Sequence, residues 1–578
     1  MRQADSYRCS APRVIAALAL VFACTATSAS GAEKLIVQLD SGPIEGIVHA
    51  GRARAWLGVP YAAPPVGPLR WRPPAAPPAW ADVRKVAAVG PECAQPWKAG
   101  SSGQGVRGSE DCLFLNVYAP RRPRHERLPV MLWIHGGEGV YYRSDDFDGS
   151  RLAATHDLVI VTINYRLGPF GWFHHPAITE AQPAGFSTGQ FGLLDMMASL
   201  RWVRSNIAAF GGDPANVTIF GESSGAQFVY ALVLTRASGG LFHKAIAQSG
   251  GFWNMTKAMA INYHDDKEPG TPASAREIVS ELLIADGKAK NRTEARRIEA
   301  TWAPDKLREW LRSLTTAALL APYHDRPHLG YDIPDIVHGD ALLPAGDHRV
   351  LLARGDYNAM PMIIGGNRDE QKYFQAGDPE LVRETAGHYS IIDPARYEAL
   401  ARFTSEWWNY MAVDDLAPRL SKPVYTYRFD WDVPPRAHPE FRAIYGAPHG
   451  MEIPFVFGDF RYREYEQLFD EGNRESRERL SAAMMSYWAA FAYHGDPGRG
   501  MNRDLPPWQP WLGAGAKLVF GASEIRMTRG AIDGGRLVAE LFANPRLKPA
   551  AKCAMYRDAV MYPSYPLAAL AGRGCSRD

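Results

Sequence analysis

No block of like charge runs through this chain: 64 Lys and Arg stand against 62 Asp and Glu in 578 residues, a formal net charge of +2. A protein that grips a polyanion concentrates positive charge on one face or tail, so nucleic acid is excluded as a partner. Cysteine is sparse too, at six residues, too few for a fold in which disulfides replace a core. No cysteine and histidine spacing suits a metal, and His174-His175, before a proline, reads as a surface loop. Long apolar runs are missing, and no stretch reaches the roughly 20 residues of a membrane-spanning helix, so stable membrane insertion is not expected. Internal repeats and low-complexity segments are also absent. What is left is a chain long enough for a large core and suited to a small neutral or mixed-charge substrate.

Arg2, Arg8 and Arg13 flank the apolar run Val14 to Cys24, and small residues follow through Ser28-Ala29-Ser30-Gly31-Ala32. This is the layout of a secretory signal peptide, residues 1–32, cut after Ala32 by the Ser-x-Ala rule. Val21-Phe22-Ala23-Cys24 loosely resembles a lipoprotein signal, but the bulky Phe22 argues against a lipid anchor on Cys24. The mature chain is expected in the periplasm or outside the cell. It keeps Cys93, Cys112, Cys553 and Cys575. An even count in an oxidising compartment suggests two disulfides, and spacing favours Cys93 with Cys112 and Cys553 with Cys575 over four free thiols.

The chemistry centres on Phe220-Gly221-Glu222-Ser223-Ser224-Gly225-Ala226, which sets a serine in a Gly-x-Ser-x-Gly frame directly after the apolar run from Val217. Such a frame is a nucleophile elbow when it joins a strand to a helix: the serine takes a strained backbone, and side chains at the glycines would collide with their neighbours. Alone, the frame is also the pattern of an ordinary Gly/Ser turn.

Context supports the elbow. Leu128 to Ile134 and Leu158 to Ile163 are apolar without alternation, as in strands covered on both faces. Leu193, Met196, Met197, Leu200, Val203 and Ile207 recur at helical spacing between Gly192 and Phe210 and lead into the elbow strand. The order strand, helix, strand, turn, helix defines a doubly wound α/β fold. Upstream, Leu35–Leu39 and Gly46–Val48 read as a hairpin, the proline-rich segment from Pro60 to Pro74 as an extended surface stretch, and Glu110–Tyr118 as an alternating strand. Downstream, helical periodicity fills 273–320. Met360–Ile364, Val424–Phe429 and Lys517–Phe520 read as further strands, with a helix around Met484–Tyr493.

Two long signatures occur in order: Glu110-Asp111-Cys112-Leu113-Phe114-Leu115-Asn116-Val117-Tyr118-Ala119-Pro120, then Phe210-Gly211-Gly212 through Val217 and Ile219 to Gly221-Glu222-Ser223-Ser224-Gly225. With Asn164-Tyr165-Arg166-Leu167-Gly168-Pro169, Gln248-Ser249-Gly250 and Gly495-Asp496-Pro497, the chain resembles the type-B carboxylesterases, the cholinesterase-like esterases of the α/β-hydrolase fold. The resemblance implies one domain over residues 33–578, a mostly parallel sheet with helices on both faces, and a helical insertion at 255–345 walling the active site. It places Ser223 on the nucleophile, Glu370 on the acid and His449 on the base. The chemistry agrees, because a serine hydroxyl needs an imidazole to take its proton, and the imidazole needs a carboxylate to hold its tautomer. Each residue alone has a blander reading: Glu370 as a helix-start carboxylate after Asn367, His449 as a loop residue. The resemblance also implies an oxyanion hole from the N–H groups of Gly137, Glu138 and Ser224, with Gly139 replacing Glu138 if the loop is read one residue later. Glu452 and Ser249 fall on a polar pair behind the histidine. No cofactor is called for, and the expected partner is a small-molecule ester.

Departures from the family pattern bear on the substrate. His135-Gly136-Gly137-Glu138-Gly139-Val140 carries a glutamate where glycine or alanine is usual. A backbone donor survives that change, but a carboxylate facing the pocket would repel anionic acyl groups unless Arg143 pairs with it. Gln190, Met196, His338 and Gln371 also depart from the pattern. Trp97 lies close to Cys93, whereas the choline-binding tryptophan of cholinesterases lies near the second cysteine, so a choline ester is not expected. Two alternatives stand beside the esterase: a silent binding or adhesion protein on the same fold, and a hydrolase of amides, carbamates or lactones.

Overall fold

Leu128–Ile134 is buried at every position, and its side chains divide between the two faces of a sheet. Val130, Leu132 and Ile134 join one hydrophobic cluster, Met131 and Trp133 a second. Period-two alternation explains both the split and the unbroken apolar run. In the computed structural model, which describes residues 35–97, 105–251, 255–324, 333–462, 464–511, 513, 515–560 and 575, this strand lies inside an eleven-stranded sheet.

In chain order the strands are β1 (Ile47–His49), β2 (Ala53–Pro60), β3 (Phe114–Pro120), β4 (Leu128–Ile134), β5 (Val159–Ile163), β6 (Gly212–Glu222), β7 (Lys244–Gln248), β8 (Met362–Asn367), β9 (Val424–Phe429), β10 (Lys517–Phe520) and β11 (Ile525–Thr528). Their spatial order is 11-10-9-8-7-6-4-5-3-2-1. Strands 5, 4, 6, 7, 8, 9 and 10 run parallel, while 1, 2, 3 and 11 are antiparallel edges. Helices α1 (Phe191–Asn206) and α2 (Ser224–Leu234) put Leu200, Val203, Phe228 and Leu232 into the first cluster. Helix α3 (Pro394–Asn409) supplies Trp407 and Trp408 to the same side. Helix α4 (Arg474–His494) covers the opposite face with Met484, Trp488 and Phe491. Each such side chain contributes about 1.5–3 kcal/mol on burial, so the sheet holds the strand ends rigidly.

The helical stretch 273–320 forms Ala275–Ala285, Arg292–Thr301, Pro304–Ser313 and Thr316–Leu320. Asn291 caps the second by accepting from Glu294 N–H, and Pro304 opens the third, where a missing N–H costs nothing.

Several expectations need correcting. Ile36–Leu39 pairs with Gly42–Glu45, not with Gly46–Val48, whose residues Ile47 and Val48 belong to the main sheet. The proline-rich segment is anchored inward by Trp71, fully buried, donating to Pro169 O at 2.7 Å and stacked on Phe173. His174 and His175 are buried as well: His174 Nε2 lies 2.9 Å from Pro334 O, and His175 caps the turn Pro176–Thr179 while facing Glu299. Both disulfides are formed, Cys93 with Cys112 and Cys553 with Cys575. The signal-peptide segment and Cys24 lie outside the described residues. Among those residues, no helix is long and apolar enough to cross a membrane.

Candidate active site

β6 ends at Glu222 and α2 begins at Ser224, which leaves Ser223 alone on the turn with φ 58° and ψ −127°. A non-glycine residue there carries strain of about 1–3 kcal/mol, held by surrounding contacts. Ser223 N–H donates to Gln248 O at 2.9 Å, and the N–H groups of Ala226 and Gln227 donate to Ser223 O. A Cβ on Gly225 would sit 2.1 Å from Ile134 O, and one on Gly221 would sit 2.6 Å from Gly225 O. The two glycines let β6, β4 and α2 close around the serine.

The loop after β4 curls through Gly137, Glu138 and Gly139, all with positive φ. Gly139 is spent on structure: its N–H donates to Ser224 Oγ at 3.2 Å, and its carbonyl accepts from Gly168 N–H and Trp172 Nε1. Gly137, Glu138 and Ser224 line a cavity of about 80 Å³ together with Ser223 and His449. Glu138 therefore takes the third place of the loop. Arg143, the expected partner of Glu138, ion-pairs with Asp145 and Asp146 instead.

Glu370 and His449 meet as expected: His449 Nδ1 lies 2.5 Å from Glu370 Oε2, and both side chains are buried. Glu370 Oε1 accepts from Asn367 N–H at 2.6 Å, fixing the carboxylate at the end of β8. Asn367 also donates from Nδ2 to Glu452 Oε2, and Ser249 Oγ donates to Glu452 Oε1 at 3.2 Å. The polar pair thus lies behind the histidine, joined to the acid through Asn367. Trp408 and Phe374 pack on the imidazole with ring centres 5.2 and 5.5 Å away.

Glu222 went unnoticed in the sequence although it sits inside the elbow motif. Its Oε1 lies 3.3 Å from His449 Nε2. Burial alone would lower the imidazole pKa, but Glu222 and Glu370 outweigh it and raise the value to about 9. Burial, then Glu370, pushes the Glu452 carboxyl up to about 7. Sequence reasoning also missed Asp335, which enters the cavity from the inserted region. Gln190, one of the departures, grips the neighbouring backbone, accepting from Val337 N–H and donating to Val337 O. Trp97 does not line the cavity and carries Arg107 over its ring. A larger cavity of about 600 Å³ adjoins this one behind Tyr141, Tyr142, Tyr462 and Glu464, but contains neither Ser223 nor His449. The smaller cavity holds the chemical groups.

A mostly parallel sheet that gathers a serine elbow, an acid and a histidine at its strand ends is an α/β-hydrolase. The Carboxylesterase family profile matches residues 33–388 and 395–524, and the chain belongs to that family. It is 33% identical to the para-nitrobenzyl esterase of Bacillus subtilis over 482 residues, 80% of this chain and 90% of that protein. It is 32% identical to the fumonisin B1 esterase of Sphingopyxis macrogoltabida over 531 residues, 87% of this chain and 91% of that one. Among solved structures, the carboxylesterase of Geobacillus stearothermophilus superposes with a TM-score of 0.65 at 29% identity, covering 88% of this chain and 99% of the other. The chain is a carboxylic ester hydrolase.

Proposed function

We propose that this esterase is exported and works through an acyl-enzyme formed on Ser223. The observation that carries the mechanism is the 2.5 Å contact of Glu370 with His449 in the cavity that also holds Ser223 on its strained turn. His449 takes the Ser223 proton as the hydroxyl attacks the acyl carbon, and Glu370 holds the imidazole and stabilises its charged form. The oxyanion accumulates against the N–H groups of Gly137, Glu138 and Ser224. His449 then protonates the leaving alcohol, and water, activated by the same imidazole, releases the acid. Ser223→Ala should lower nitrophenyl-ester turnover by several orders of magnitude without changing the circular-dichroism spectrum. A variant that keeps most of its activity would refute the assignment. Labelling by a fluorophosphonate probe separates this reading from a silent binding protein, which would give no adduct at Ser223.

Export rests on the arginines, apolar run and small-residue site of residues 1–32. Expressed with its leader, the protein should be recovered outside the cytoplasm with Glu33 at its N-terminus. N-terminal sequencing that finds an intact leader contradicts cleavage, and a lipid-modified Cys24 would assign the anchor instead.

A further inference from the structure

The cavity around Ser223 is lined by four carboxylates, Glu138, Glu222, Asp335 and Glu464, and among the described residues by no lysine or arginine. Glu222 faces His449, Glu464 accepts from the hydroxyls of Tyr142 and Tyr373, and Glu138 lies in the loop after β4 with its backbone at φ 62°. Asp335 has no such task. It is 4% exposed, and its carboxylate is met by backbone, with Ile336 N–H donating at 2.7 Å. No cation pairs with it among the described residues, and burial without one pushes its carboxyl up to about 7. Gln190 holds the segment rigidly two residues further on, at Val337. A buried, pre-positioned acceptor in the cavity that holds Ser223 is a waiting half of an ion pair. The aromatic wall of Phe374 and Trp408 adds faces that attract positive charge.

We propose that Asp335 selects the substrate by receiving a protonated primary or secondary amine carried by the ester. The inference rests on the Ser223-centred hydrolase reading and adds the substrate class. Its chemistry requires an N–H donor, because Asp335 recognises by hydrogen bond as well as charge. A quaternary ammonium would feel the field of the cavity but could not donate, and a carboxylate on the substrate would find no lysine or arginine among the described lining residues to pair with.

The test uses the mature enzyme and esters that share one skeleton but end in a primary ammonium, a trimethylammonium, a neutral methyl or a carboxylate. One series places the group on the acyl side, the other on the alcohol side. In one of the two series, kcat/KM for the primary ammonium ester should exceed that of the neutral and the trimethylammonium esters by about tenfold or more, the scale of one charge-assisted hydrogen bond. Asp335→Asn should collapse that ratio, with fluorophosphonate labelling of the variant confirming an assembled site. No ammonium preference in either series overturns the proposal, as does a preference that survives Asp335→Asn. If wild-type enzyme neither labels at Ser223 nor cleaves any ester, the hydrolase mechanism itself fails. A labelled, active enzyme indifferent to the amine refutes only the role of Asp335.

Discussion

Glu222 precedes Ser223 by one residue, yet its carboxylate reaches the imidazole edge opposite Glu370. His449 therefore lies between two carboxylates. Burial, with Glu452 and Glu370, also pushes the Glu222 carboxyl up, and His449 is the group that pulls it down. The direction for His449 is upward, because two acids surround one base in a dry site. A general base must be neutral to accept a proton, so raising its pKa removes active enzyme at neutral pH. Glu222→Gln removes a charge that favours imidazolium, so the His449 pKa should fall and the acid limb of the kcat/KM profile should move to lower pH by about one unit or more. The midpoint can be read whatever the height of the plateau. A midpoint left in place would show that Glu222 does not act on His449 through its charge.

At the scale of elements, legibility followed the range of the interactions involved. β4 is readable to the residue because burial on both faces writes an apolar run that local context cannot disguise, and β9 because Thr426 and Arg428 alternate with large apolar and aromatic residues. The elbow was readable because its glycines answer a local steric demand. Edge elements were harder. Gly42–Glu45 contains one large apolar residue, Ile44, and its pairing with Ile36–Leu39 is decided by turn geometry, so the apolar pattern alone points to an arm further along the chain. The buried pair His174-His175 looked like a loop because its partners, Pro334 and Glu299, come from the inserted region. The meeting of Glu370 with His449 is legible as a constellation in chain order, but Asp335 and the reach of Glu222 are not: each depends on a fold bringing distant segments to one cavity. Arg143 is engaged locally, by Asp145 and Asp146 two and three residues along the chain.

At the scale of the molecule, the Cys93–Cys112 disulfide ties compartment, stability and site together. Both cysteines are buried, and the chain between them carries Gln95, which accepts from Tyr142 N–H and donates to Tyr142 O, each at 3.1 Å. Tyr142 in turn donates to Glu464 at 2.7 Å, so the bridged loop supports one wall of the active-site cavity. A cross-link separated by 19 residues constrains the unfolded chain by about 3 kcal/mol in the loop-entropy picture. Replacing Cys93 and Cys112 by serine should therefore lower the urea midpoint, and wild-type enzyme in reductant, which also opens Cys553–Cys575, should fall at least as far. Cytoplasmic expression without residues 1–32 should yield the weaker form, because glutathione keeps the thiols reduced. The loosened Tyr142 wall adds a second readout: KM for bulky esters should change more than kcat, since the groups that hold Ser223, Glu370 and His449 lie on other strand ends. Identical urea midpoints for oxidised enzyme and the double serine variant would show that the bridge adds nothing to stability, and that export is not needed to complete the fold.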